Sequence, residues 1–587
     1  MATSLPLRCA PASGLHTHEE PHMSADRILD AFPYNPTTDW NKNEEFFNFT
    51  RGRFVCNEAM ELALRQVRFD MNELARVAAR AVGSQRCVTV EKYPDGTFNK
   101  AFLMTMEDGK EAVAKVPTRN AGQAHFTIAS EVATMEFART VLKNPVPKVL
   151  EWSSRAEFNA VGAEYIIMEK VNGIPLDHVW ARLGMEQKLE IIKSIARCQK
   201  NWMRANFSQF GSLYFTQDLE NGDGVSYTDA QGSELTDDRF SIGPSVGRHC
   251  FDDGRAEISF DRGPCKHPFP THSANLLRYS LGRNVEEYVL AIGNREVACI
   301  ANMERLPKSP LTLPGPYART RAKKLAALQI NSQLAKYLLP TDPALLSSNI
   351  WHSDLHGENI LVNPDNPTEV VGIIDWQSIQ LVPLYENGTV PSFLHYDGPE
   401  VKGIERPKCP DTSEMDSAAR ASAMTLWVQM LLVACYRKLI SARMPTLYRA
   451  LEFCDTTFYN LLLFPQNFLL DGETTYQWTV GNKLEQCWPS VPRFEAYGSP
   501  AFPIKFSAEE RKQIEDDHEA ANKGQNYLSD LRDRTGLDLI STKGLVCHSD
   551  YEYMKDILRE EKEVALREFA TTEDERKLVE EGWPFDD

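Results

Sequence analysis

His352-Ser353-Asp354-Leu355-His356-Gly357-Glu358-Asn359-Ile360-Leu361-Val362, followed by Val370-Val371-Gly372-Ile373-Ile374-Asp375-Trp376, is the stretch that decides the reading of this chain. Asp354, Asn359 and Asp375 form a set of oxygen ligands spaced by two short apolar strands. Such a set suits Mg²⁺ and a nucleotide phosphate held beside a hydroxyl. Phosphoryl transfer asks for positioning, charge neutralisation and a carboxylate that accepts the hydroxyl proton. Asp354 fits the base position. Asn359 offers a neutral oxygen to a metal and Asp375 a charged one. Asn363-Pro364-Asp365-Asn366-Pro367 is dense in turn formers and predicts a chain reversal. The β-branched run from Val370 to Ile374 predicts the return strand. The hairpin would carry Asp375 back beside Asp354. A lone His-x-Asp reads as ordinary loop polarity; the full pattern is far more specific.

The stretch resembles the catalytic loop of the aminoglycoside phosphotransferase and choline kinase group. That group has an α+β, bilobal, protein-kinase-like fold with a small β-rich N-lobe and a larger, mainly helical C-lobe. The resemblance implies that the other kinase parts lie upstream, in order. Ala112-Val113-Ala114-Lys115-Val116 is an apolar strand with one Lys, similar to the phosphate-binding lysine strand of kinases. Cys87 to Tyr93 and Lys100 to Met106 read as two preceding strands, joined by Pro94-Asp95-Gly96-Thr97-Phe98-Asn99. From Thr127 to Arg139 the apolar residues recur at helical spacing. Glu131 on that helix is the candidate partner of Lys115, with Glu136 as a competitor. Ala163 to Gly173 reads as a strand running into a loop. It matches the hinge, where backbone groups near Glu169 and Val171 would bond adenine. A strand Lys more often faces solvent, and a helical Glu is more often solvated surface. Order and spacing carry the assignment.

The resemblance thus implies ATP and Mg²⁺ as cofactors and a small-molecule alcohol as acceptor. It implies Lys115, Asp354 and Asn359 as catalytic residues. It assigns Gly96, Lys115, Glu131, Glu169 and Val171 to the nucleotide, and Asn359 and Asp375 to the metal. His352 is expected to brace the loop through hydrogen bonds. His356 is either structural or a contact to the acceptor or its phosphate. The competing reading is a catalytically weak kinase-fold binding or scaffold protein linked to mitochondria. Retention of Lys115, Asp354, Asn359 and Asp375 together favours the enzyme.

Departures from protein kinases point to small-molecule enzymes. The phosphate-covering loop has one glycine, Gly96, and no Gly-x-Gly-x-x-Gly. Asp375-Trp376-Gln377 stands where protein kinases have Asp-Phe-Gly, and no Ala-Pro-Glu segment follows. No Walker A loop is present. Phe47 to Glu58, Ser130 to Met135, Gly162 to Lys170, Phe210 to Phe215 and Ile374 to Gln377 resemble the fungal "altered inheritance of mitochondria" branch of this superfamily.

The chain has 587 residues with 82 acidic and 64 basic side chains, a formal charge of -18. Such a surface repels nucleic acid and favours cationic ligands. The 12 cysteines contain no Cys-x-x-Cys pair, so no disulfide framework is read. The apolar run around Ala423 to Cys435 contains Gln429 and reads as a buried core helix, so no transmembrane segment is expected. Arg8 is the only basic residue before Arg27, and Glu19, Glu20 and Asp26 are acidic, a poor matrix-targeting pattern. The resemblance points to the mitochondrion; the residues themselves leave the cytoplasm as the alternative.

The expected organisation is a loosely ordered extension over 1–45, an N-lobe over 46–171 and a C-lobe over 172–506. An insertion over 216–275 lies near the cleft, and a charged helical extension over 507–587 packs on the large lobe. Pro383 to Pro410, with Trp376, Tyr385, Phe393 and Tyr396, is expected to line the acceptor pocket, as loops after the metal Asp do in this superfamily.

Overall fold

The computed structural model describes residues 38–258, 284–313, 317–537 and 543–586. Most of the 1–45 extension and the end of the 216–275 insertion fall outside the described residues.

The small lobe is built on one antiparallel sheet. Its strands are β1 (Cys87–Lys92), β2 (Asn99–Met106), β3 (Glu111–Pro117), β4 (Val149–Ser153) and β5 (Tyr165–Glu169), in the spatial order β1-β2-β3-β5-β4. Strict alternation along β2 places Lys100, Phe102, Met104 and Met106 on its buried face. Phe46, Phe47, Phe69, Leu74 and Ala78 cover that face and complete the small-lobe core.

Between β3 and β4 runs helix α1 (Phe126–Thr140). From Thr127 to Ala138 every residue except Glu136 is buried. A surface helix would show one apolar stripe; this one is enclosed. Its second cover is a large-lobe ribbon, β6 (Ser212–Phe215) paired with β7 (Phe240–Gly243). Tyr214 and Val246 pack on Ala129, and Phe126 meets the Tyr214 ring edge-on at 5.8 Å.

The 216–275 insertion is therefore structured in its described part. Val225–Thr228 and Glu234–Asp237 form a hairpin that joins a second five-stranded sheet. The large lobe is otherwise mainly helical. Met185–Trp202, Val285–Asn302 and Arg321–Leu338 supply much of its core. The hairpin between Asp354 and Asp375 is β8 (Ile360–Val362) and β9 (Val370–Ile373), antiparallel with an irregularity after Leu361. A small β-rich lobe joined to a larger helical one is the α+β, bilobal, kinase-like arrangement expected from the sequence.

Three expectations need correction. Helix α2 (Ser417–Arg443) is buried only in its second half, at Leu432, Val433, Ala434, Tyr436, Arg437 and Ile440. Trp376 and Tyr385 are both 0% exposed, so neither lines a pocket. Trp376 is instead a core residue packed against Trp202, and Tyr385 packs against Phe453. Their size and apolar area favour burial over the open cleft. Third, the C-terminal extension does not pack on the large lobe alone. Leu545 and Val546 pair with Phe54 and Arg53. The Arg53 guanidinium stacks on Tyr551 at 3.4 Å and pairs with Glu58 and Glu552. Lys323–Asp517 and a Trp478–His518 stack at 4.7 Å fasten the same extension to the large lobe.

Candidate active site

Register in the small sheet places Lys115 opposite Ala101 on one side and Ile166 on the other. Its ammonium lies 2.6 Å from Glu131 Oε1 and 2.6 Å from Asp375 Oδ1. Glu131, not Glu136, is thus the partner of Lys115; Glu136 reaches Arg139 instead. Burial works against the Lys115 charge. Asp375 and Glu131 outweigh it and push the ammonium up to about 12. Burial also favours neutral Asp375, yet Lys115 holds its carboxyl below the usual range. Glu131 moves the other way: burial, reinforced by the Asp375 charge, exceeds the help from Lys115.

Asp375 has φ 60°, a left-handed conformation that non-glycine residues adopt at a cost. The ion pair to Lys115 holds it there. Ile374 N–H donates to the Asn359 carbonyl at 3.0 Å, which ties the segment before Asp375 to the loop that carries Asp354. The Asn359 amide nitrogen donates to the Asp354 carbonyl at 2.9 Å and lies 3.0 Å from His356 Nε2. His356 Nε2 is 3.6 Å from Asp354 Oδ2. The Asp354 carboxylate, as acceptor and as opposite charge, raises the His356 pKa, with partial burial opposing. Asp354 itself is 66% exposed at its side chain.

His352 is buried, and burial lowers its pKa. Its Nε2 bonds the Ile374 carbonyl at 2.9 Å, and its ring meets Trp376 edge-on at 4.9 Å. It braces the segment before Asp375 as a neutral ring. A Cβ at Gly357 would meet the Asp177 carboxylate, so a larger residue there would make that exposed side chain swing aside.

At the expected hinge two backbone groups already have partners. Glu169 N–H already donates to the Lys148 carbonyl, and the Val171 carbonyl accepts from Gly173. The Glu169 N–H is thus already paired, while the Val171 carbonyl keeps a second lone pair. Gly96 sits in a tight turn, its N–H donating to Asn99 O at 3.1 Å.

The contacts that hold the 94–99 turn, made by Asp95, Asn99, Gln377 and Arg248, were not singled out from sequence. Asp95 is buried beneath it and accepts from Thr50, Lys92 and Lys100. Asn99 donates to Gln377 Oε1 at 2.5 Å, and Gln377 donates to Ala121 O. Arg248, from the insertion, lies over the Phe98 ring at 3.7 Å and donates to Asn120 O. A buried Asp between two strand lysines could have been suspected from the alternation of β1 and β2. Gln377 and Arg248 left no local signal.

The donor set fits Mg²⁺. Asp375 and Asn359 are hard oxygen donors held on connected backbone, and Mg²⁺ uses one or two carboxylates with phosphate and water completing its shell. No cluster of three His, Cys, Asp or Glu side chains able to cage a metal occurs among the described residues.

A family model described as the phosphotransferase enzyme family matches residues 297–386. A subtelomeric hrmA-associated cluster protein of Aspergillus fumigatus is 30% identical over 485 residues, covering 77% of this chain and 89% of that one. The protein named altered inheritance of mitochondria protein 9, mitochondrial, of Yarrowia lipolytica is 26% identical, covering 62% of this chain and 63% of that one. Its namesake of Lachancea thermotolerans is 24% identical, covering 75% and 70%. Among solved structures, a mutant aminoglycoside phosphotransferase in complex with AMP-PNP and hygromycin B is 13% identical, covering 66% of this chain and 98% of that one, with a TM-score of 0.26. Superposition this loose transfers no residue, so the site rests on the distances above.

Proposed function

The chain belongs to the aminoglycoside phosphotransferase and choline kinase-like superfamily, in the fungal branch of the altered inheritance of mitochondria proteins, and from that premise we propose that it moves the γ-phosphate of ATP to a hydroxyl of a small molecule. One observation carries the reading. Lys115 Nζ lies within 2.6 Å of both Glu131 and Asp375, groups from two lobes and separate ends of the sequence. A structural ion pair would need only one of these carboxylates.

In this reading Lys115 turns its charge toward the phosphates, and Glu131 keeps it in place. Asn359 and Asp375 hold Mg²⁺, which when bound neutralises phosphate charge. Asp354, exposed at the mouth of the site, orients the acceptor hydroxyl and takes its proton. His356, 3.6 Å from the Asp354 carboxylate, stands beside the group that meets the acceptor. Gln377 and Arg248 keep the phosphate-covering loop down in place of the missing glycines.

Incubation of the protein with labelled ATP and a metabolite extract, followed by mass analysis, tests this. The expected result is a phosphorylated small molecule that is absent with Asp354→Ala. Label that stays on ATP or goes only to water would overturn it. The mitochondrial compartment is proposed on the names of the yeast relatives. A fluorescent fusion that remains cytosolic would contradict that placement.

A further inference from the structure

The C-terminal extension carries a core of its own. Helices Ala508–Thr535, Tyr551–Phe569 and Glu573–Gly582 bury Leu528, Leu531, Leu558, Leu566 and Phe569 together with Trp583. That core takes in Val55 from the small lobe and Leu313 from the large lobe, which are 0% and 1% exposed. Lys308 of the large lobe donates to the Trp583 carbonyl at 2.8 Å, and a Cβ on Gly524 would meet the Leu313 carbonyl. A cap on one lobe would need no residue of the other; this extension is packed as a bridge.

Its contacts with the small lobe converge on the 94–99 turn. Val55 N–H donates to the Gly544 carbonyl at 3.0 Å, beside the pairing of Phe54 with Leu545 and of Arg53 with Val546. His548 Nε2 lies 3.3 Å from the Thr50 carbonyl. Thr50 in turn donates to Asp95 Oδ2, from its N–H at 2.8 Å and from its hydroxyl at 2.9 Å. A second line reaches the same turn from the insertion. Lys543 lies 3.7 Å from Asp253, and the neighbouring Asp252 pairs with Arg248 at 2.8 Å. Arg248 lies over the Phe98 ring at 3.7 Å. Lys543 has φ 55° and Gly544 φ 75°, so two successive left-handed residues bend the chain where both lines begin.

We infer that the extension is a brace across the two lobes that holds the 94–99 turn over the nucleotide cleft, so that nucleotide affinity depends on contacts made by residues 543–548. The nucleotide part of this rests on the phosphotransfer reading above. A free turn would have to be ordered each time phosphate binds, and that ordering subtracts from affinity. Held through Asp95 and Phe98, the turn is ordered beforehand. Where the ordered form is only partly populated, the apparent Kd rises by the inverse of its population.

Gly52→Ala tests the brace, because its Cβ would stand 2.2 Å from the Val546 carbonyl and must part the pairing with 545–546. Hydrogen–deuterium exchange of the full chain without nucleotide is the readout. Amides of the 94–99 turn should exchange at least about five-fold faster in the variant, while those of 111–117 and 360–362 keep their wild-type rates. MgATP affinity, measured by calorimetry, should fall about two- to five-fold. His548→Ala removes one exposed contact and should give a smaller rise at the same turn. Faster exchange confined to 50–56 and 543–548 would overturn the inference, and so would a looser turn with unchanged MgATP affinity. If Gly52→Ala loosens the whole chain, His548→Ala decides, and an unchanged 94–99 turn there overturns the inference. A looser turn in both variants of a protein whose wild type binds no MgATP supports the brace and overturns the phosphotransfer reading instead.

Discussion

Lys115 and Glu131 expose 8% and 1% of their side chains, while Asp354 exposes 66%, although a chain of contacts through Asp375, Ile374 and Asn359 joins them. The small-lobe half is a dry, paired charge array in a low-dielectric setting. The catalytic-loop half stands in water. The contrast separates two tasks. Phosphates are the same in every turnover and suit a preorganised array that needs no rearrangement. An acceptor must enter and leave, so the group that meets it stays reachable.

Breaking each half separately should give different losses. Asp375→Ala should lower phosphoryl transfer by at least about 10³-fold and abolish Mg²⁺-dependent nucleotide binding. Asp354→Ala should lower transfer by a similar factor while nucleotide affinity, measured by calorimetry, stays unchanged. Loss of nucleotide affinity in both would erase the distinction. Stability should divide the same way. Lys115→Met leaves the Glu131 carboxylate buried without its cation and should cost about 3 kcal/mol by urea denaturation. Asp354→Asn, in water, should change it by less than about 0.5 kcal/mol.

Smaller effects sharpen the boundary between the halves. Gln377→Ala removes the bond that draws Asn99 toward the Asp375 segment. It should weaken ATP by about 1 kcal/mol, roughly five-fold in Kd. The smallest effect belongs to His356. Its folded pKa is raised by Asp354, so the pair stabilises the protein fully below the unfolded value near 6.5 and loses that contribution as pH rises through the folded value. The difference in unfolding free energy between wild type and His356→Gln should be a few tenths of a kcal/mol near pH 6 and vanish by about pH 8, because Asp354 is largely in water. A difference that grows with pH would reverse the assigned coupling.

Much of the dry half was legible in the sequence. Lys115 on an apolar strand, Glu131 on the next helix and Asp375 after a β-branched return strand are local patterns, and the structure joins all three. The cover over that helix was not legible, because β6 and β7 are separated from it by long stretches of chain. Trp376 and Tyr385 look alike as pocket or core residues until their neighbours are known. The helix carrying Leu426 and Trp427 reads as buried from composition alone, since hydropathy does not say whether a partner covers each turn. Gln377 is one polar residue among many beside an Asp; only the fold shows that Asn99 reaches it.

The central claim is that this site holds ATP through Asp375 and Mg²⁺. Thermal denaturation at millimolar ATP, with and without Mg²⁺, in wild type and Asp375→Ala, tests it most directly, since a ligand bound only by the native state raises the melting temperature. The account predicts a rise in wild type that requires Mg²⁺ and disappears in Asp375→Ala. No rise in wild type, or an equal rise in the variant, would contradict it.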